Sequence, residues 1–233
     1  MNSQKQTIII TGAIKRLGLH FTKKSLAMGY SVIMHYHSEI SDDCYLLKDQ
    51  FPGDIAFMQL DLVNNPEDLI IGSLNITDNI IGLVNNASIF AQGNLSNPSD
   101  FMEKFSINTL APMRCSSAFY KHVKNGWIIN ITDANIKRPN SSFQNYRISK
   151  LFLEEITRQQ AVIFAPDVRV NAIAPGAMLP AQHEKDFFTT LRDTVPLKSV
   201  GNIDSLINTY EFLVNNNYLT GQVISVDGGW GLL

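Results

Sequence analysis

Thr7-Ile8-Ile9-Ile10-Thr11-Gly12-Ala13-Ile14-Lys15-Arg16-Leu17-Gly18 is the stretch on which the reading of this 233-residue chain turns. Thr7–Thr11 (TIIIT) is β-branched throughout and reads as a strand. Arg16–Met28 carries the apolar spacing of a helix. Gly12 lets the chain turn sharply between them, and Gly18 lets the helix pack close to the strand. The start of that helix presents unpaired N–H groups and a positive dipole end, which suit a phosphate. Two glycines at this spacing say little alone; between a first strand and a first helix they say considerably more. Arg16 sharpens the point, because a cation at a helix N-terminus is repelled by the dipole unless an anion lies nearby.

Outward from this turn the pattern repeats. Ser31–Tyr36, Ile55–Leu60, Ile80–Val84, Trp127–Thr132, Val168–Ala172 and Val223–Val226 are six further strand candidates. Helical patterns separate most of them, notably Phe101–His122, Phe143–Phe164 and Ile203–Asn215. Several strands are near-continuous Ile/Val runs, as expected when both faces of a parallel sheet are covered. The alternation predicts an α/β fold, a Rossmann-like doubly wound parallel sheet with helices on both faces, in one domain over residues 1–233. The most irregular stretch, Pro175–Pro196, follows a strand and so falls at the carboxyl edge of the sheet, as a cover over a ligand.

Composition closes off other classes. With 45% hydrophobic residues and a formal charge of −2, the chain is neither disordered nor built to hold a phosphate backbone, so no nucleic-acid partner is expected. Cys44 and Cys115 form no disulfide framework and no zinc spacing. Met1–Gln6 lacks the apolar core of a secretory signal, and no apolar run approaches membrane-spanning length. A soluble, cytoplasmic chain without a membrane partner is the expectation.

Two more stretches carry chemistry. Tyr146-Arg147-Ile148-Ser149-Lys150 places a phenol and an ammonium one helical turn apart. A nearby lysine charge is expected to lower the tyrosine pKa toward the range useful for proton transfer. The second strand ends His35-Tyr36-His37-Ser38, where an NAD-selective site would set an acid against the adenosine ribose. The first acid, Glu39, comes later and is expected to open the next helix. With no carboxylate to repel a 2′-phosphate and with His37 and Ser38 able to donate to it, NADPH is the expected cofactor.

Together these residues resemble the short-chain dehydrogenase/reductases, over nearly the whole chain from Ile8 to Gly229. Their TGxxxGxG turn corresponds to Thr11–Gly18, with Arg16 in place of the middle glycine. That departure resembles the TGAxKRxG turn of the pteridine reductases, as do the HYH stretch and Asn85-Asn86-Ala87-Ser88 followed by Phe90. The resemblance implies that Gly12, Lys15, Arg16, Leu17 and Gly18 cradle the cofactor phosphates, with His35, Tyr36, His37 and Ser38 at the adenosine ribose. Asp61 and Leu62 would meet the adenine, and Asn86, Ala87, Ser88, Pro175 and Gly176 the nicotinamide side. Phe90 would stack a pterin ring, with Arg16, Ser88, Asp133 and Tyr146 also touching the substrate. Tyr146 and Lys150 would be catalytic, Lys150 also holding nicotinamide ribose hydroxyls. Asn108 would position that lysine through a water.

Asp133 stands where most of the family has serine. A carboxylate there repels the developing alkoxide of a reduced ketone. Addition of hydride to a C=N carbon instead leaves nitrogen needing a proton, which Asp133 and Tyr146 can supply. Thr132 is expected on the opposite face of the sheet. The implied activity is NADPH-dependent reduction of a dihydropterin of the dihydromonapterin or dihydrobiopterin type, with dihydrofolate as a further candidate. A carbonyl reductase of acyl thioesters or sugars is the alternative, and a non-catalytic nucleotide sensor a third. By the same resemblance the chain forms a homo-oligomer, a tetramer in many relatives, pairing the helices at Phe101–Val123 and Phe143–Phe164. Asp227-Gly228-Gly229 resembles the family's C-terminal turn, while Ala177–Lys198 matches no family pattern.

Overall fold

The computed structural model describes residues 5–139, 141–179 and 185–233. Seven strands, β1 (Thr7–Ile10), β2 (Ser31–Tyr36), β3 (Ile55–Gln59), β4 (Ile80–Asn85), β5 (Gly126–Ile131), β6 (Val168–Pro175) and β7 (Val223–Val226), form one parallel sheet. Their order is β3-β2-β1-β4-β5-β6-β7. The strand order therefore reverses between β1 and β4, which opens a crevice at their carboxyl ends where ligands bind in such sheets.

Alternation along the strands divides the core. Ile8, Ile10, Val32, Met34, Val84 and Ile129 face one side. Helices α1 (Arg16–Ala27), α2 (Asp42–Gln50) and α8 (Ile203–Asn215) cover that side through Phe21, Leu47, Leu206 and Tyr210. Ile9, Ile33, Leu83, Ile128 and Val170 face the other side, under α3 (Asp68–Leu74), α5 (Ala111–His122) and α6 (Gln144–Ile163). Several buried polar groups are absorbed into bonds. The Tyr210 hydroxyl lies 2.7 Å from Ser25 Oγ, and burial pushes its pKa well above the ordinary phenol value, so it stays neutral.

Three regions differ from the sequence expectation. The helix expected over Phe101–His122 is broken: α4 (Pro98–Phe105) starts earlier, capped by the Asn97 side chain, and a π-helical turn at Ser106–Leu110 separates it from α5. Glu39 does not open α2, which begins at Asp42. The irregular stretch after β6 contains α7 (Lys185–Thr194), while its residues 180–184 lie outside the described residues. Among the described residues no helix is long and apolar enough to cross a membrane.

Candidate active site

The glycine turn is held rigidly by neutral groups. Gly12 has φ 60°, a left-handed conformation in which glycine is unstrained. The Asn86 amide donates to the carbonyls of Thr11 (2.9 Å) and Gly12 (3.0 Å). Thr11 Oγ1 in turn accepts from the N–H groups of Asn86 and Ala87. A Cβ on Gly18 would overlap the Gly12 carbonyl oxygen, so this helix can approach the turn only with glycine here. Lys15, at the N-cap of α1, is extended and gives no side-chain cap, and the first turn carries no acid. Those N–H groups are left for an external anion, so the turn fits a dinucleotide pyrophosphate. Arg16 adopts φ 49°, costly for a residue with a Cβ, and its Nη2 donates to the Leu179 carbonyl (3.1 Å). Leu17 packs into the core beneath.

At the end of β2 the structure divides the four expected contacts. His35 is corrected: its ring is buried under the turn, Nδ1 accepting from Gly12 N–H (3.3 Å) and Nε2 facing Leu60 O (3.0 Å). Burial lowers its pKa, so the neutral ring supports the turn and does not face a ligand. His37 and Ser38, beyond the strand, are exposed, and Tyr36 is half-buried edge-on to Phe57. Asp61 is exposed, its carboxylate accepting from Val63 N–H and the Asn64 amide. Leu62 behind it is buried.

Beyond β5 the residues are ionisable and enclosed. Tyr146 Oη donates to Asp133 Oδ2 at 2.9 Å, while Asp133 Oδ1 accepts from Asn135 N–H at 2.7 Å. Lys150 Nζ, one helical turn on, donates to the Ile131 carbonyl at 2.8 Å. Burial raises the Asp133 pKa, against the pull of Asn135 N–H, the tyrosine hydroxyl and the charges of Lys150 and Arg147. The Lys150 ammonium is pushed down to about 8 by burial, with Asp133 opposing. The expected lowering of the Tyr146 pKa is corrected. Burial first, and then the adjacent Asp133 charge, raise it well above the ordinary phenol value. A phenol that holds its proton this firmly works as a relay beside an acid and not as a free phenolate.

Asn108, fully buried in the π-helical turn, joins two loops. Its amide donates to Ile89 O (3.0 Å) and Ser149 Oγ (3.1 Å), and its oxygen accepts from Ser88 Oγ and Ile89 N–H. Its side chain therefore fixes the end of β4 against α6, the helix that carries Tyr146 and Lys150. Thr132 is turned away as expected, its hydroxyl donating to Ile173 O. Pro175 O accepts from Ala134 N–H and Gly176 N–H donates to Val226 O, tying β6 and β7 to the Asp133 loop. Asp227 accepts from Gly229 and Gly231 N–H groups in the C-terminal turn.

Phe90 sits over this pair and is 60% exposed. Its ring stacks on Phe143 at 4.8 Å and 6° and meets Tyr146 edge-on at 4.8 Å. Phe143 escaped the sequence reading, because only the pairing of Gly93 with Phe143 across two loops brings the rings together. Arg147 escaped it too: its side chain is buried beside Tyr146, with Nη2 lacking a partner among the described residues. Two flat rings beside a tyrosine–aspartate proton pair suit a planar heterocycle that is protonated as it reacts.

Residues 12–231 match the family model described as enoyl-(acyl carrier protein) reductase. The chain is 27% identical to a putative ketoacyl reductase of granaticin polyketide synthesis from Streptomyces violaceoruber, covering 97% of this chain and 96% of that one. It is 26% identical to a dihydromonapterin reductase of Enterobacter sp. (strain 638), covering 98% of each. Among solved structures, the FolM alternative dihydrofolate reductase 1 from Brucella canis, complexed with NADP, superposes with a TM-score of 0.89. It is 26% identical, over 98% of this chain and 95% of that one.

Proposed function

The chain belongs to the short-chain dehydrogenase/reductase family of oxidoreductases, and we propose that it is an NADPH-dependent reductase of a dihydropterin. The observation that carries this is the hydrogen bond from Tyr146 Oη to the buried carboxyl of Asp133. A carboxylate opposes an alkoxide but serves a nitrogen that must gain a proton. NADPH, when bound, supplies the hydride. Addition to the carbon of the 5,6 C=N bond leaves an electron pair on N5. Tyr146 gives N5 its proton and takes one from Asp133, whose hydrogen bond to the phenol reverses once the carboxyl is protonated. The raised pKa of Asp133 favours its holding that proton. Lys150, charged below about pH 8, offers its remaining N–H donors to the nicotinamide ribose. Phe90, Phe143, Ser88 and Arg16 border the ring's place.

NADPH over NADH is supported by the exposed His37 and Ser38 at the end of β2, with no acid between them and the strand. A lower apparent KM for NADH refutes that preference. The outer sides of α4 and α6, where Met102 and Phe152 are exposed beside Phe101 and Phe105, are the surface this reading gives to a second copy. A monomer in sedimentation at micromolar concentration refutes it.

The test of activity follows NADPH loss with a dihydropterin and dihydrofolate beside an acetoacetyl thioester. Pterin consumption is expected. The carbonyl-reductase reading is favoured by the similarity to the granaticin ketoacyl reductase, and consumption of the thioester alone establishes it over the pterin reading.

A further inference from the structure

The N-terminal turn of α6 gathers positive charge without an acid to balance it. Its N-cap, Phe143, gives no side-chain cap, and the first turn carries no Asp or Glu. The positive end of this 20-residue helix therefore favours an anion. The sequence supplies cations instead. Arg147 lies in the first turn, and long helical side chains lean back toward the N-terminus, here toward the loop that leads from Asp133 into the helix. Arg138 sits on that loop. The Arg147 pKa is lowered by burial first, raised by the Asp133 charge and lowered again by the Arg138 charge, so the two guanidinium groups feel each other.

Both groups hold donors with nothing to bind. Arg147 is 7% exposed, and its Nη2 is enclosed without a partner among the described residues. Nε and Nη2 of Arg138 are enclosed in the same way. Unpaired donors on a buried cation are costly, and two such groups together call for a negatively charged acceptor. The acids of the neighbourhood are committed elsewhere. Asp133 accepts from Asn135 N–H and Tyr146 Oη. Glu154, farther along α6, faces Arg158 at 3.6 Å, and Asp227 accepts from the Gly229 and Gly231 N–H groups. Among the described residues no ion pair reaches Arg138 or Arg147.

A guanidinium offers two parallel N–H groups to one oxyanion, and a second guanidinium can close on the same group. Arg138 is half-buried beside the exposed Lys137, so an outward swing of its side chain opens the way in. We propose that Arg138 and Arg147 hold one oxyanion, a phosphate or a carboxylate, at the N-terminal turn of α6 beside the Tyr146–Asp133 pair. The bound anion offsets the Arg147 charge, which acts on Asp133 together with Lys150, the Asn135 N–H and the Tyr146 hydroxyl. Binding does not depend on which substrate is reduced; only its effect on turnover uses the proton pair proposed above.

Sulfate, whose charge is constant across the pH range, serves as the probe. The protein is saturated with NADP+ to fill the glycine turn, and Tm is followed against sodium sulfate, with sodium chloride at equal ionic strength as control. Above the unsaturating rise that sulfate gives any protein, a saturable one is expected, about 3–6 °C at ten times its midpoint concentration. Arg138→Met, which keeps an apolar stem, is expected to raise that midpoint about tenfold or more. Sedimentation separates the sources: a smaller assembly in Arg138→Met, with no saturable sulfate response in either protein, assigns the acceptor to a carboxylate of a second copy. Where sulfate binds, the falling limb of kcat for the dihydropterin is expected to move up by about one pH unit, and far less in Arg138→Met. Equal sulfate responses in the two proteins, no response with unchanged assembly, or bound sulfate with a limb that stays or moves down overturns the assignment. A profile without a falling limb overturns the relay, while the Tm comparison still decides the anion site.

Discussion

The carboxyl ends of β4 and β5 lie side by side in the sheet and are built on opposite principles. At the end of β4, Asn85 donates to Asn130 Oδ1 and Ser116 Oγ, Asn86 to the glycine turn, and Asn108 links Ser88 and Ile89 to Ser149. These groups are neutral, and their donated bonds fix a shape, although Asn85 Oδ1 has no partner among the described residues. At the end of β5, Asp133, Tyr146 and Lys150 are ionisable, buried and displaced from their ordinary pKa values. Burial that merely orders an amide leaves a carboxyl or an ammonium poised to exchange a proton. One edge of the crevice is scaffold and the other is chemistry.

The largest effects are expected on the β5 side. Tyr146→Phe and Asp133→Ala should each lower kcat by about 10²–10⁴-fold, the usual worth of positioned proton transfer, with NADPH affinity retained. Fluorescence titration of NADPH beside turnover separates the two. Full activity in either variant removes that residue from the proton path and breaks the contrast between the edges.

Acidity gives the next test. If Asp133 must be protonated, kcat falls as pH rises through its raised pKa. The buried Arg147 charge pulls that pKa down, so Arg147→Met should move the falling limb to higher pH. A limb that stays in place, or moves to lower pH, contradicts the relay. In the neutral network at the end of β4, to which Asn130 of β5 contributes, the expected response is purely structural. Asn130→Ala deprives Asn85 of an acceptor and Thr157 of a donor, so about 1–3 kcal/mol of unfolding free energy should be lost in urea titration. The pH limb should not shift.

What the sequence made legible follows the same division. Strands showed through because Ile8–Ile10, Val32–Met34 and Ala172–Ala174 must be apolar on both faces of a covered parallel sheet. Tyr146 and Lys150 showed through because helical spacing alone puts them on one face. Contacts made across loops did not show. His35 and His37 have the same parity, but β2 ends at Tyr36, so the alternation that turns His35 inward no longer governs His37. The Phe90–Phe143 stack depends on the Gly93–Phe143 pairing, which no local pattern records. The Tyr146 pKa rises against the sequence expectation because burial acts first and Asp133 faces the phenol directly, while Lys150 donates to Ile131 O.

The smallest expected effect is on stability, and it has the opposite sign to the effect on turnover. Asp133 holds its proton more tightly when folded than when unfolded, since burial raises its pKa. Stability therefore falls as pH rises from the ordinary carboxylate value through the folded one, and at neutral pH the cost is present. Asp133→Asn removes that titration and keeps both contacts, the carboxamide oxygen accepting from Asn135 N–H and its NH₂ donating to Tyr146 Oη. A gain of about 1 kcal/mol, usual when a strained site group is neutralised, should raise Tm by roughly 2–4 °C near pH 7. The gain should vanish toward pH 3, where the carboxyl is protonated in both states. A gain equal at both pH values would trace to packing, and the buried charge at the end of β5 would then carry no cost for function to explain.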